Sequence, residues 1–167
     1  MLRSKLAAVL ATSAAALAVV AAPAAAEERS CRGTIGAVTV DNLRVPQGAT
    51  CTLAGTFVKG TVKVERDATL KASAIRVIGN IQAENHRSVS VTNRSRVDGS
   101  LQVKQGGGAT VSNSIFGSDV QFFTNAGAIS ITSNRIDGNL QCKENRPAPT
   151  GGGNVVQGNK EDQCARL

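Results

Sequence analysis

Apolar and polar residues alternate in short runs through most of the chain, and the runs repeat. Each complete run places apolar residues two positions before, two after and four after a small residue, which is glycine in most copies. The small residues stand at positions 60, 79, 99, 118, 138 and 158, so the repeat is 19 or 20 residues long. Strict alternation predicts β-strands rather than helices.

A second alternating run lies between these strands, at 68–70, 89–91, 109–111 and 129–131. Units this small cannot bury an apolar face alone, so copies must stack. We predict an all-β fold, a single-stranded right-handed parallel β-helix of six to seven coils, with handedness inferred from the period alone. A left-handed hexapeptide helix would favour a step of about 18 residues. A β-sandwich would not repeat one sequence phase so regularly.

Stacking assigns each repeat position to a column along the solenoid. The inward columns are predicted to hold Val62, Ile81, Leu101, Val120 and Leu140, and beside them Val64, Ala83, Val103, Phe122 and Cys142. An outward ladder of amides should contain Gln82, Gln102, Gln121 and Gln141, which can hydrogen-bond along the stack. The turn column should hold Asn80, Ser100, Asp119, Asn139 and Asn159, with side chains that bond the local backbone.

The four cysteines are spaced by about one coil. Cys31 lies 20 residues before Cys51, and Cys142 lies 22 before Cys164. Residues stacked in adjacent coils lie about 4.8 Å apart, a separation that a disulfide accepts. We therefore predict the bridges Cys31–Cys51 and Cys142–Cys164, which would staple the two ends. Close Cys pairs, which a zinc site would need, are absent from the sequence.

The first 26 residues have the three-part layout of a secretory signal peptide. Arg3 and Lys5 precede an apolar stretch, and small residues end at Ala26, where we predict cleavage. Residues 27–167 would then form one β-helix domain without a transmembrane span. The expected location is extracellular or associated with the cell wall, where the oxidising environment permits disulfides.

Composition narrows the candidate chemistry. Aromatic residues make up 2% of the chain, which disfavours a base-stacking surface and hence specific nucleic-acid binding. His86 is the only histidine, so we expect no metal or cofactor, and we place it in an exposed turn. The formal charge of +7 falls to +5 when Arg3 and Lys5 leave, and a basic exported domain attracts anionic polymers.

An arginine column is the candidate binding track for an anionic cell-wall or extracellular polysaccharide. It contains Arg76, Arg96 and Arg135, and we group the four ladder glutamines with it as candidate binding residues. The alternative is that Asp98 and Asp137 simply neutralise Arg96 and Arg135, and charge patterning favours this. Asp98 with Asp119 or Asp137 could match the spacing of glycosidase carboxyls, but short connections leave no cleft, so we assign no catalytic residue.

The units Val77-Ile78-Gly79-Asn80-Ile81 and Ile136-Asp137-Gly138-Asn139-Leu140 resemble the Val-x-Gly-Asn-Val repeats of small secreted bacterial β-helix proteins. They also resemble, more distantly, the repeats of the polymer-forming bactofilins. We predict a secreted, non-catalytic structural or binding module of the cell surface or the extracellular space. The alternatives are a small polysaccharide-active lyase or hydrolase, and a protein that self-associates into fibres.

Overall fold

The computed structural model describes residues 27–167, and these form three parallel β-sheets wound into a solenoid of about seven coils. The predicted signal peptide lies outside the described residues. Each coil contributes one strand to sheet A, then one to sheet B, then one to sheet C. Residues 27–167 contain no helix, so nothing in them could cross a membrane as one. The predicted parallel β-helix is confirmed.

The strands are numbered in chain order. Sheet A contains β1 (Glu28–Ser30), β4 (Asn42–Val45), β7 (Val62–Val64), β10 (Ile81–Glu84), β13 (Leu101–Lys104), β16 (Val120–Phe123), β19 (Leu140–Lys143) and β22 (Lys160–Asp162). Sheet B contains β2 (Gly33–Ile35), β5 (Thr50–Ala54), β8 (Thr69–Ser73), β11 (Ser88–Thr92), β14 (Gly108–Ser112), β17 (Ile129–Thr132) and β20 (Thr150–Gly152). Sheet C contains β3 (Thr39–Val40), β6 (Phe57–Val58), β9 (Arg76–Val77), β12 (Arg96–Val97), β15 (Ile115–Phe116), β18 (Arg135–Ile136) and β21 (Val155–Val156).

The core is a set of apolar columns that run along the solenoid axis. In sheet A, Ile81 pairs with Val62 on one side and with Leu101 on the other, and the same offset continues to Leu140. Every residue of the two predicted inward columns is buried. Because each coil adds a further layer of aliphatic side chains, the core lengthens with the repeat and needs few aromatic rings.

Residues in the left-handed conformation turn the chain between sheets. Sheets A and B are joined through Asp67, Asn85, Gln105, Thr124 and Glu144, all with φ between 52° and 57°. Asn and Asp visit this region at little cost because their side chains can bond the nearby backbone, whereas a β-branched threonine is strained there. The surrounding coils therefore hold Thr124 in a conformation that its own sequence disfavours.

At Gly79 and Gly99 the repeating glycine is required by the close approach of the neighbouring coil, whereas Ser118 occupies the same place in a later coil. A Cβ atom on Gly79 would lie 2.6 Å from the carbonyl oxygen of Gly60, and one on Gly99 would lie 2.6 Å from that of Gly79. Neither Gly79 nor Gly99 has a positive φ. Contact with the coil before it therefore excludes a side chain at these two glycines.

The turn column beside these glycines bonds between coils, not within them as we predicted. The Asn80 Oδ1 atom accepts a hydrogen bond of 2.8 Å from the backbone N–H of Ser100. Asp119 accepts in the same way from Asn139, and Asn139 from Asn159, both at 2.8 Å. The neighbouring coil lies so close at the glycines that its N–H is within reach of the stacked side chain.

Two further polar ladders are buried, and the alternation pattern did not indicate them. Asn145 Oδ1 accepts from the backbone N–H and the side-chain Nδ2 of Asn125, at 3.1 and 2.9 Å. Asn154 bonds Asn134 in the same two ways, both at 3.0 Å. Each amide thus satisfies buried backbone groups where the chain leaves a sheet, which is where ladder hydrogen bonds run out.

Both predicted disulfides are present, one at each end of the solenoid. The Cα atoms are 5.5 Å apart in Cys31–Cys51 and 5.2 Å apart in Cys142–Cys164. All four cysteines are buried. Cys142 belongs to an inward column, so its bridge draws the chain that follows β22 across the open end of the core, where Leu167 also packs.

Candidate binding surfaces

The predicted arginine column lies on the outer face of sheet C. Arg76 and Arg96 are paired in register, but Ile115 occupies the next place and separates Arg135 from them. The three arginines are therefore on one face, as predicted, but they do not form an unbroken row.

The arginines of this column form ion pairs with carboxylates. Asp98 lies between two of them, with Oδ1 2.6 Å from Arg96 Nε and Oδ2 3.4 Å from Arg76 Nη2. Asp137 lies 3.3 Å from Arg135 Nε. These pairs follow the alternative that we favoured. The arginine side chains remain more than half exposed, so their role in binding stays a prediction.

The glutamine ladder lies on the outer face of sheet A, and its four members are paired in register. Gln121 Nε2 donates to Gln141 Oε1 at 2.8 Å, and Gln141 Nε2 donates to Glu161 at 2.8 Å. Within residues 27–167, the side chains of Gln82 and Gln102 make no such bond, so their amides are free to bond to a ligand.

A groove of about 620 Å³ crosses the same face beside Gln82 and Gln102. Lys63, Arg66 and Lys104 contribute its positive charges. The remaining lining residues are Val64, Glu65, Ala83, Glu84 and Asn85. The groove spans strands β7, β10 and β13, so an extended ligand lying along the solenoid axis would contact three successive coils.

The three cations of the groove differ from the sheet C arginines because none has an ion-pair partner among the described residues. Glu65 is engaged elsewhere: it lies 3.3 Å from Arg44 Nη1 and accepts from the backbone N–H of Gln47 at 3.0 Å. The hydrogen bond that Arg44 donates to the Glu65 carboxylate also raises the pKa of Arg44. Lys104 Nζ lies 5.6 Å from the ring centre of Phe123, which helps to hold it in place.

These three cations were missed by sequence reasoning. Lys63 takes the place of the ladder glutamine in its own repeat, and that departure from the repeat was the available signal. Arg66 lies in a turn, where the alternation of apolar and polar residues does not predict which way a side chain points. Only the stacking of coils brings Lys63, Arg66 and Lys104 to one groove.

The carboxylates considered for glycoside hydrolysis are all engaged with neighbouring groups. Asp98 and Asp137 bond arginines, and Asp119 accepts from the backbone of Asn139. Across residues 27–167, no cluster of three His, Cys, Asp or Glu side chains is arranged to hold a metal ion.

The predicted exposed position of His86 is wrong. The residue is 3% exposed, and neither ring nitrogen has a hydrogen-bond partner. Its ring packs against Gly106, where a Cβ atom would overlap it. Burial lowers the pKa of His86. The sequence did not predict this burial because the space for the His86 ring comes from Gly106, which lies in the next coil.

The fold and its polar faces define an all-β protein of the parallel β-solenoid class, closed at both ends by disulfides. Comparison with family models, curated proteins and solved structures gave no match to the chain.

Proposed function

We propose that this protein is a secreted, non-catalytic binding module for anionic polysaccharide at the cell surface or in the extracellular space. The observation that carries the proposal is the sheet A groove, where Lys63, Arg66 and Lys104 are free of ion pairs. Glu84 also lines the groove but forms no ion pair with these cations, so a polymer with a carboxylate or phosphate on successive units can pair with them.

The groove suits a polymer because its groups recur along the solenoid axis. Adjacent strands are about 4.8 Å apart, so charges and amides on β7, β10 and β13 meet successive parts of one extended chain. The free amides of Gln82 and Gln102 can donate to sugar hydroxyls or carboxylates between the cationic contacts. Many weak contacts in series give useful affinity without a deep pocket.

The proposed location rests on the predicted signal peptide together with the two disulfides, which are consistent with an oxidising compartment. The bacterial origin rests on the resemblance of the leader and the Gly-Asn repeats to small secreted bacterial β-helix proteins. The likeness to bactofilins is confined to the repeat unit.

Binding of polygalacturonate and of a long-chain polyphosphate, measured by calorimetry, tests the proposal. The protein is expressed as the full chain and purified after export. The site variant carries Lys63→Gln, Arg66→Gln and Lys104→Gln. The matched control carries Arg76→Gln, Arg96→Gln and Arg135→Gln, which removes the same charge from sheet C.

We expect the site variant to lose about tenfold or more in affinity and the control to lose about threefold or less, because the groove cations are unpaired whereas the sheet C arginines are paired with aspartates. If only the control variant loses affinity, the binding site is the predicted arginine column and not the groove. If neither polymer binds the unmodified protein, the proposed function is wrong. Thermal unfolding monitored by circular dichroism shows whether each variant remains folded.

A further inference from the structure

The outer face of sheet B is an array of hydroxyl groups. Three outward columns run along it, in register from coil to coil. The central column contains Thr34, Thr52, Lys71, Ser90, Thr110, Ser130 and Thr150. The flanking columns contain Thr50, Thr69, Ser88 and Gly108 on one side and Ala54, Ser73, Thr92, Ser112, Thr132 and Gly152 on the other. We call these three columns the hydroxyl face.

Charge is almost excluded from the hydroxyl face, where Lys71 is the single ionisable residue. The other two faces carry charges of both signs. On sheet A these include Lys63, Glu84 and Lys143, and on sheet C they form the pairs of Arg96 and Arg135 with aspartates. The sheets therefore differ in the kind of partner that they can meet.

Most hydroxyls of this face are free to bond to a partner. Within residues 27–167, the protein hydrogen bonds of these side chains involve Ser73, Thr92 and Thr150 alone. The other hydroxyls are exposed or half-buried, and each can both donate and accept. Their spacing is regular, at about 4.8 Å between strands and roughly 6.6 Å between alternate residues of one strand.

Strand propensity explains the threonines of this face but not its serines. Threonine is favoured in strands, whereas serine is not. Ser90, Ser112 and Ser130 nevertheless occupy outward positions here. We propose that the hydroxyl face binds a neutral polysaccharide, at a surface separate from the sheet A groove.

The chemistry of the face matches that class of partner. A neutral polysaccharide is uncharged and presents donors and acceptors at a regular repeat, so it can exchange hydrogen bonds with several coils at once. The face offers an anionic chain no row of counter-charges. Each bond is weak, so binding depends on many of them acting together along a long chain. Without ion pairs, the affinity should not depend on salt.

Co-sedimentation with microcrystalline cellulose, chitin and insoluble β-1,3-glucan, at low and at molar salt, tests this proposal. The variant carries Ser90→Glu, Thr110→Lys and Ser130→Glu. With Lys71 it forms a column of alternating charge, which protects the fold. The matched control places the same three charges on sheet C, as Thr39→Lys, Ile115→Glu and Val155→Glu, at exposed positions that neither proposed site uses. A milder variant, Thr110→Val with Thr132→Val, removes hydroxyls and keeps the branched shape.

We expect the unmodified protein to bind at least one neutral polysaccharide equally at both salt levels. The charged variant should lose about tenfold or more, the valine variant about threefold, and the control nothing measurable. Failure to bind any of the three solids would overturn the proposal, as would binding abolished by salt or retained by the charged variant. Dimerisation that the charged variant abolishes would instead assign the face to a second copy. The hydroxyl-face variants leave the groove residues unchanged, so binding of polygalacturonate tests the groove independently of these results.

Discussion

Arg29 and Lys160 occupy the same inward column at opposite ends of the solenoid. Arg29 pairs in register with Leu43, and Lys160 pairs with Leu140. Between them the column is entirely aliphatic, from Leu43 to Leu140. If a second copy stacked head to tail, these two cations would meet at about the strand spacing of 4.8 Å. Inward charges on edge strands are a known protection against such association.

Self-association through the ends is therefore predicted to require removal of both charges. The double variant Arg29→Leu, Lys160→Leu continues the aliphatic column across the junction. It should form end-to-end oligomers once Cys142–Cys164 is reduced, because the chain after β22 then no longer covers the end of the core. Sedimentation velocity would show these as faster species. The control Arg76→Leu, Lys143→Leu removes the same charge from outer faces and should stay monomeric. Oligomers of the unmodified protein, lost on dilution, would contradict this view and support the fibre-forming alternative.

Gly99 should tolerate no side chain. In the variant Gly99→Ala, the new Cβ lies 2.6 Å from the carbonyl oxygen of Gly79, so neighbouring coils must separate locally. We expect the free energy of unfolding in urea to fall by about 1–3 kcal/mol. Gly36→Ala is the control, because no atom lies within 4 Å of its Cβ and its φ is not positive. Equal losses in both variants would show that coil contact is not the cause.

His86 should make the protein less stable in mild acid. Its pKa is lowered by burial, so the unfolded chain binds this proton more readily than the folded one. Above the unfolded pKa of about 6.5, His86 is neutral in both states and its full contribution to the free energy of unfolding is present. As the pH falls towards the lower folded pKa, the free energy of unfolding decreases by up to about 1.4 kcal/mol per pH unit.

The variant His86→Asn tests this dependence, because the corresponding places in later coils hold Asn125 and Asn145. Urea unfolding of both proteins between pH 7 and 5 gives the comparison, and the difference between their unfolding free energies should change across this range. Parallel curves would mean that His86 does not titrate on folding.

The end disulfides should stabilise the fold separately. They close loops with sequence separations of 20 and 22 residues, for which chain entropy predicts about 3 kcal/mol each. The variants Cys31→Ser, Cys51→Ser and Cys142→Ser, Cys164→Ser should each lose roughly that amount in urea unfolding. Peptide mapping of the unmodified protein without reduction must recover the same pairs, and a Cys31–Cys142 peptide would reject the assignment.

Catalysis on polysaccharide can be tested directly. Asp98 and Asp137 are held by arginines, so we expect neither reducing ends nor unsaturated products from acidic or neutral glycans. Turnover that disappears in Asp98→Ala or Asp137→Ala, but persists in Asp41→Ala, would establish the enzymatic alternative. Asp41 is the matched control because it also pairs with a cation, Lys59, at the edge of sheet C.

The sequence by itself determined the coil, its period, the inward columns and both disulfides. These follow from alternation in strands, where successive side chains must point to opposite faces and like positions must stack. Tertiary structure alone decided where the turn residues point. His86 is buried because Gly106 leaves it room, and Arg66 joins the strand residues Lys63 and Lys104 in one groove because their coils stack. Turn residues have no fixed alternation, so the coil above or below determines their direction.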